Sequence, residues 1–171
     1  IAIKSDGTLW AWGSNQRAQA GRIDGENQTT PIQISSDTNW VAITAGYYEG
    51  IALNDKGELY GWGHAGNPQD WAKLSVPTRI GTDNDWIKIS AGLGITVALK
   101  NNGTLWTWES PAIDVNTGIP YWEGRISQVG MDNNWAEISA GYNYVLATKT
   151  KVTLWSWGSN SDGQIGDVFA G

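Results

Sequence analysis

One short phrase occurs four times in this chain and limits what it can fold into. It reads G-T-L-W-A-W from Gly7, G-E-L-Y-G-W from Gly57, G-T-L-W-T-W from Gly103 and V-T-L-W-S-W from Val152. Its leucines, Leu9, Leu59, Leu105 and Leu154, lie 50, 46 and 49 residues apart. A second phrase keeps step: W-V-A-I-T-A-G from Trp40, W-I-K-I-S-A-G from Trp86 and W-A-E-I-S-A-G from Trp135. A weaker third element, P-I-Q-I at Pro31, P-T-R-I-G at Pro77 and I-S-Q-V-G at Ile126, falls between them. Self-similarity at this period marks an architecture of stacked supersecondary units, each unable to bury its apolar face alone.

Each unit reads as four short extended stretches. In the third unit these are Trp86 to Ser90, Thr96 to Lys100, Thr104 to Trp108 and the stretch after a longer loop. Asp6-Gly7, Lys56-Gly57 and Asn102-Gly103 stand where a hairpin requires positive φ, which Gly tolerates best. Val152 stands at that place in the fourth copy, and a β-branched residue disfavours positive φ, so a different turn geometry is expected there. Alternation puts Trp10 and Trp12 on one face and Leu9 and Ala11 on the other, so both faces are apolar or small. Strands of that kind belong in sheets covered on both sides, as in radially stacked four-stranded blades. Twenty-two glycines and the absence of 3.6-residue apolar spacing argue against helix.

The order W-x-x-I-x-A-G, then L-W-x-W-G-S-N, then G-Q-I-G-D resembles the regulator of chromosome condensation repeat over essentially the whole chain. The resemblance implies an all-β fold, a partial β-propeller of four-stranded antiparallel blades. W-G-S-N is intact at Trp12 and Trp157, partial at Trp62 and degraded at Trp108. G-Q-x-G is present at Gly163, partial at Gln19 and absent from the two middle units. Where repeats of this family often carry His, three residues after A-G, this chain has Glu49, Ile95 and Tyr144.

One domain of about three and a half blades is expected: a half unit over 1–39, units over 40–85 and 86–134, and an incomplete unit over 135–171. The first residue is Ile, consistent with a fragment or a processed chain. Open blade faces in water are unfavourable. The chain is therefore expected to be a piece of a longer propeller, a subunit of a larger assembly, or a partner to a second copy, two chains supplying about seven blades.

Seventeen acidic against 11 basic side chains give a net charge of −6, without a basic cluster. This speaks against nucleic-acid binding, which needs a basic face to displace counterions. The chain has no Cys and no long apolar run, so neither a disulfide, a thiolate metal site nor a transmembrane helix is expected. That leaves the compartment open, with secretion or the cell surface as the leaning. No nucleophile elbow, phosphate loop or dinucleotide fingerprint appears, so no cofactor and no catalytic role are expected.

Ten of the 12 Trp recur and are read as packing between blades; Trp71 and Trp122 do not recur. Both lie in the variable loops of the middle units, Trp122 beside Tyr121, and they are the candidate binding residues, with a lid over the blade as the alternative. His64, the one His, is a candidate ligand contact or simply a polar replacement for the Ser of W-G-S-N. Asp37, Asp83 and Asp132 recur, which points to a turn or side-chain cap. The functional expectation is a non-catalytic binding or assembly module, a protein-interaction scaffold. A glycan-binding module using the loop aromatics is the alternative. Less favoured are two activities the resemblance brings: nucleotide exchange on a small GTPase, and ultraviolet sensing by Arg-flanked Trp clusters.

Overall fold

The computed structural model describes residues 1–63, 75–109 and 126–166. Among them are fourteen strands and no helix. Sheet 1 holds β1 (Ala2–Ile3), β2 (Leu9–Gly13) and β3 (Gln28–Ser35). Sheet 2 holds β4 (Trp40–Ala45), β5 (Glu49–Asn54), β6 (Leu59–Gly63) and β7 (Thr78–Arg79). Sheet 3 repeats that order with β8 (Trp86–Ala91), β9 (Ile95–Lys100), β10 (Leu105–Glu109) and β11 (Ser127–Gln128). Sheet 4 holds β12 (Trp135–Ala140), β13 (Tyr144–Lys149) and β14 (Leu154–Gly158). All pairings are antiparallel between chain neighbours, so each sheet is a meander. Fourteen strands amount to three and a half four-stranded blades, as the period implies. Pro31 lies in β3, at the edge of sheet 1, where a missing N–H breaks no interior ladder.

Sheets stack in chain order through two unlike faces. The front of each carries the Leu of the first phrase with the aliphatic residues of the neighbouring strand: Leu9 with Ile1 and Ile3, Leu59 with Ile51 and Leu53, Leu105 with Val97 and Leu99. The rear of the next sheet fills that front with Trp40, Ala52 and Trp62, with Trp86, Ala98 and Trp108, or with Trp135, Ala147 and Trp157. Leu and Trp thus interlock at each junction, and a buried ring of this size is worth several kcal/mol. Hydrogen bonds tie the first strands together: the Ala91 N–H donates to Thr44 Oγ1 at 2.9 Å and the Ala140 N–H to Ser90 Oγ at 2.9 Å. The T-A-G and S-A-G phrases thus fasten one unit to the next.

The hairpin after each second strand is one structure repeated. The N–H of Gly7, Gly57, Gly103 and Val152 donates to the carbonyl of Lys4, Asn54, Lys100 and Lys149. The three glycines have φ of 81°, 72° and 78°, and Val152 has φ 60°. The expectation of a different geometry at Val152 is therefore overturned: the ladder on both sides fixes the turn, and the valine accepts left-handed strain of about 1–3 kcal/mol. The glycines have a second reason to be there. A Cβ on Gly7, Gly57 or Gly103 would run into the backbone carbonyl of Thr38, Asn84 or Asn133, in the loop leading to the next unit's Trp. Val152 meets no such loop and is 88% exposed.

The recurring acidic residues also differ from expectation. Asp83 Oδ2 lies 2.6 Å from Lys100 Nζ, and Asp132 Oδ2 lies 2.6 Å from Lys149 Nζ, in place of a turn-capping role. Each ammonium sits between two indoles. Lys100 is 4.7 Å and 5.0 Å from the ring centres of Trp86 and Trp106, and Lys149 is 4.8 Å and 4.0 Å from those of Trp135 and Trp155. Burial opposes the charge on Lys100, but the Asp83 and Asp85 carboxylates outweigh it and hold its pKa above the ordinary lysine range. Unit 2 has no Lys at this place; Asn54 stands there, and Tyr60 packs edge-on against Trp40 at 4.9 Å.

Candidate functional site

One end of every sheet collects the features that do not recur. The third strand runs back alongside the second, so its last residue lies opposite the second strand's first: Gly63 opposite Glu49, Glu109 opposite Ile95, Gly158 opposite Tyr144. The turn between first and second strands and the loop between third and fourth therefore open at the same end. Ala45-Gly46-Tyr47, Ala91-Gly92-Leu93 and Gly141-Tyr142 line a groove of about 340 Å³ there. Tyr47 is 59% and Tyr142 is 68% exposed, so two phenols flank a floor of small residues.

Backbone contacts hold this groove in shape. The N–H groups of Leu93 and Gly94 both donate to the Tyr142 carbonyl, at 2.9 Å and 3.2 Å. The residues standing in place of the family's His turn back on their own turns. A Cβ on Gly46 would meet the Glu49 carboxylate, and one on Gly141 would meet the Tyr144 ring. Glu49 is buried and its Oε2 accepts the Tyr48 N–H at 3.3 Å. Tyr48 in turn packs edge-on against Tyr47 at 4.4 Å and lies under the Arg17 guanidinium at 5.5 Å, which joins the loop of unit 1 to the turn of unit 2.

The loops between third and fourth strands explain the W-G-S-N and G-Q-x-G phrases. In unit 1 the buried Asn15 side chain accepts from the Ala20 N–H and donates to the Arg22 carbonyl, at 3.0 Å each. Gln19 Oε1 accepts the Arg17 N–H at 2.7 Å. Unit 4 repeats the pattern with Asn160 accepting from Ile165 and Gln164 accepting from Asp162. Units 2 and 3 carry Ala65 and Pro111 in place of the anchoring Asn. Their loops hold the sequence-derived candidates, and His64, Trp71, Tyr121 and Trp122 all lie outside the described residues. The strands that lead into these loops, β6 and β10, end at the groove's end of adjacent sheets. Tyr47, Leu93 and Tyr142 escaped the sequence reading because they follow a recurring A-G and look like part of the scaffold.

The family model for the regulator of chromosome condensation (RCC1) repeat matches residues 6–53. That stretch is an RCC1 repeat. Among curated relatives, the RCC1 domain-containing mitochondrial protein RUG3 of Arabidopsis thaliana is 32% identical over 71 residues, 40% of this chain and 16% of its own. The ultraviolet-B receptor UVR8 of the same plant is 30% identical over 71 residues, with the same coverage. Among solved structures, Prp20p of Saccharomyces cerevisiae, studied for its binding to Gsp1p and histones, superposes with a TM-score of 0.71 at 18% identity, covering 96% of this chain and 44% of Prp20p. Human WBSCR16 superposes with a TM-score of 0.70 at 16% identity, covering 91% and 44%. These structures establish the RCC1-type propeller fold. The chain spans about a sixth of the length of the curated relatives and under half of the solved chains. Among the described residues no helix is long and apolar enough to cross a membrane.

Proposed function

We propose that these RCC1 repeats form a non-catalytic protein-interaction scaffold that grips its partner at the groove end of the sheets. The observation that carries this reading is convergence. The exposed Tyr47 and Tyr142, the small-residue floor between them and the roots of both variable loops share one end, while the other end carries the repeated hairpins. Exposed aromatics over a preformed apolar concavity are a common way to hold a partner side chain. His64, Trp71, Tyr121 and Trp122 belong to this surface in the proposal, since their loops start there. The net charge of −6 supports a protein partner over a nucleic acid. Photoreception is the weaker reading: among the described residues the cations over indole rings are Lys4, Lys100 and Lys149, the last two committed to carboxylates.

Cross-linking from a benzoylphenylalanine placed at Tyr47 or Tyr142 tests the site. The reading expects a discrete adduct, lost in Trp71→Ala and Trp122→Ala variants that keep the wild-type fold. Adducts unchanged in both variants would remove the loop aromatics from the site. Binding on a glycan array, abolished by the same substitutions, would replace the scaffold with the lectin alternative. Self-association is a further part of the proposal and uses another surface, the uncovered faces of sheets 1 and 4.

A further inference from the structure

The groove is built from three successive turns, and each turn lies against the next. A Cβ on Gly46 would meet the Gly92 carbonyl, and one on Gly92 would run into the Gly141 carbonyl. Backbone thus packs on backbone, which makes the floor shallow and preformed. Above it each unit raises one large side chain: Tyr47 from unit 2, Leu93 from unit 3 and Tyr142 from unit 4.

The lining restricts what can lie there. No charged side chain and no side-chain amide lines the groove, although the chain carries a net charge of −6. A charged segment would therefore leave its charge without a partner, and a sugar would meet neither carboxylate nor amide. Main-chain pairing is closed at five places. The N–H groups of Gly46, Gly92 and Gly141 donate within their own turns to the carbonyls of Glu49, Ile95 and Tyr144, and those of Leu93 and Gly94 donate to Tyr142. An added strand finds no donor at these places. The Tyr47 and Tyr142 hydroxyls, in contrast, have no hydrogen-bond partner among the described residues and stand in solvent as donors for a ligand carbonyl. A groove of about 340 Å³ takes a short extended segment in preference to a helix about 10 Å across.

Proline meets each of these conditions. It is apolar and uncharged, it has no N–H to leave unpaired, and its carbonyl accepts from a phenol. Proline-rich segments are extended before they bind, so docking costs little further order, and aromatic-lined grooves receive them. Resting on the groove reading above, we infer that this groove binds a proline-rich segment of the partner protein in the polyproline II conformation, with prolines packed on Tyr47, Leu93 and Tyr142 and carbonyls held by the two phenols.

An acetylated and amidated octaproline peptide is the probe, and a Ser-Gly peptide of equal length is the reference. Amide NMR titration is expected to show saturable shifts at Gly46, Gly92, Leu93 and Gly141 with octaproline and none with the reference. Tyr47→Ala and Tyr142→Ala should each weaken binding about tenfold. Tyr47→Phe and Tyr142→Phe, which keep the ring and lose the donor, should each weaken it about threefold. Both tyrosines are exposed, so the remaining amide spectrum should stay native in all four variants. With no charge in the contact, the dissociation constant should change less than about twofold up to about 0.5 M salt. Absence of saturable shifts, equal binding of the Ser-Gly peptide, variants that bind like the wild type, or a steep salt dependence would each overturn the inference. A partner cross-link at Tyr47 or Tyr142 that octaproline does not diminish would keep the groove as the partner's site and overturn only its proline-rich occupant.

Discussion

The fronts of sheets 3 and 4 are built from the same phrase and meet opposite fates. Leu105 in L-W-T-W is buried beneath Trp135, and Leu154 in L-W-S-W stands in solvent. Gly103 lies under the loop that carries Asn133, while Val152 faces open space. Val97 and Leu99 fill the front of sheet 3 with apolar bulk, and at the matching places sheet 4 has Leu146 and Thr148. Local sequence thus specifies the strand and its turn, but burial is conferred by the neighbour. A phrase tells which face can be covered, not whether it is.

This contrast can be broken at its turn glycine. Gly103→Val combines left-handed strain with a clash against the Asn133 carbonyl, and is expected to cost about 2–6 kcal/mol in denaturant unfolding. A loss below about 0.5 kcal/mol would show that the loop yields freely and that the glycine serves only its φ.

Next in size is the leucine pair. Leu105→Ala should cost about 2–5 kcal/mol, and Leu154→Ala less than about 1 kcal/mol in the monomer. Equal losses in urea titrations would mean that the two fronts are covered alike.

The reverse exchange, Val152→Gly, is expected to stabilise the monomer by about 0.5–1 kcal/mol, because relief of left-handed strain exceeds the extra entropy glycine gives the unfolded chain. A loss of stability would place Val152 in a contact it does not make in this structure.

Acid supplies the smallest effect. The Thr8 hydroxyl and N–H bonded to Asp6, the Arg22 contact with Asp24 and the Asn54 amide on Glu58 hold these three carboxyls below their ordinary range. A lowered folded-state pKa gives stability that is present above the unfolded value and lost as pH falls through the folded one. The melting temperature should hold steady in the neutral range and fall slightly below about pH 4. Asp6→Asn, which keeps an acceptor for Thr8, should flatten part of that slope; an unchanged slope would remove Asp6 from the account.

Much of the fold was legible because period, alternation and turn residues agreed with one another. The four-strand unit, the packing role of Trp40, Trp86 and Trp135, and the hairpin glycines all came from that agreement. Three features did not. The left-handed turn at Val152 is set by the ladder beside it, against the preference of the residue. The Asp83 and Asp132 contacts join residues 17 positions away, a pairing that depends on how first and second strands face each other. Trp12 and Trp155 recur as packing residues do, yet are 45% and 48% exposed, Trp12 on a face that no sheet covers and Trp155 on the edge strand β14, which recurrence cannot show. The non-recurring aromatics Trp71, Tyr121 and Trp122, the candidates that the sequence offers, lie outside the described residues. Tyr47 and Tyr142 are hidden in the sequence because each follows a recurring A-G, and only the pairing of the strands shows that their turns open at one end.

The central claim is that like phrases make like sheets and that coverage by the neighbouring sheet decides which faces are buried. Carbene footprinting read by mass spectrometry, at a dilution where the chain is monomeric, measures that coverage residue by residue. The account predicts heavy labelling of Leu154 and Trp12, with Leu105 and Trp62 protected. Equal labelling of Leu105 and Leu154 would contradict it.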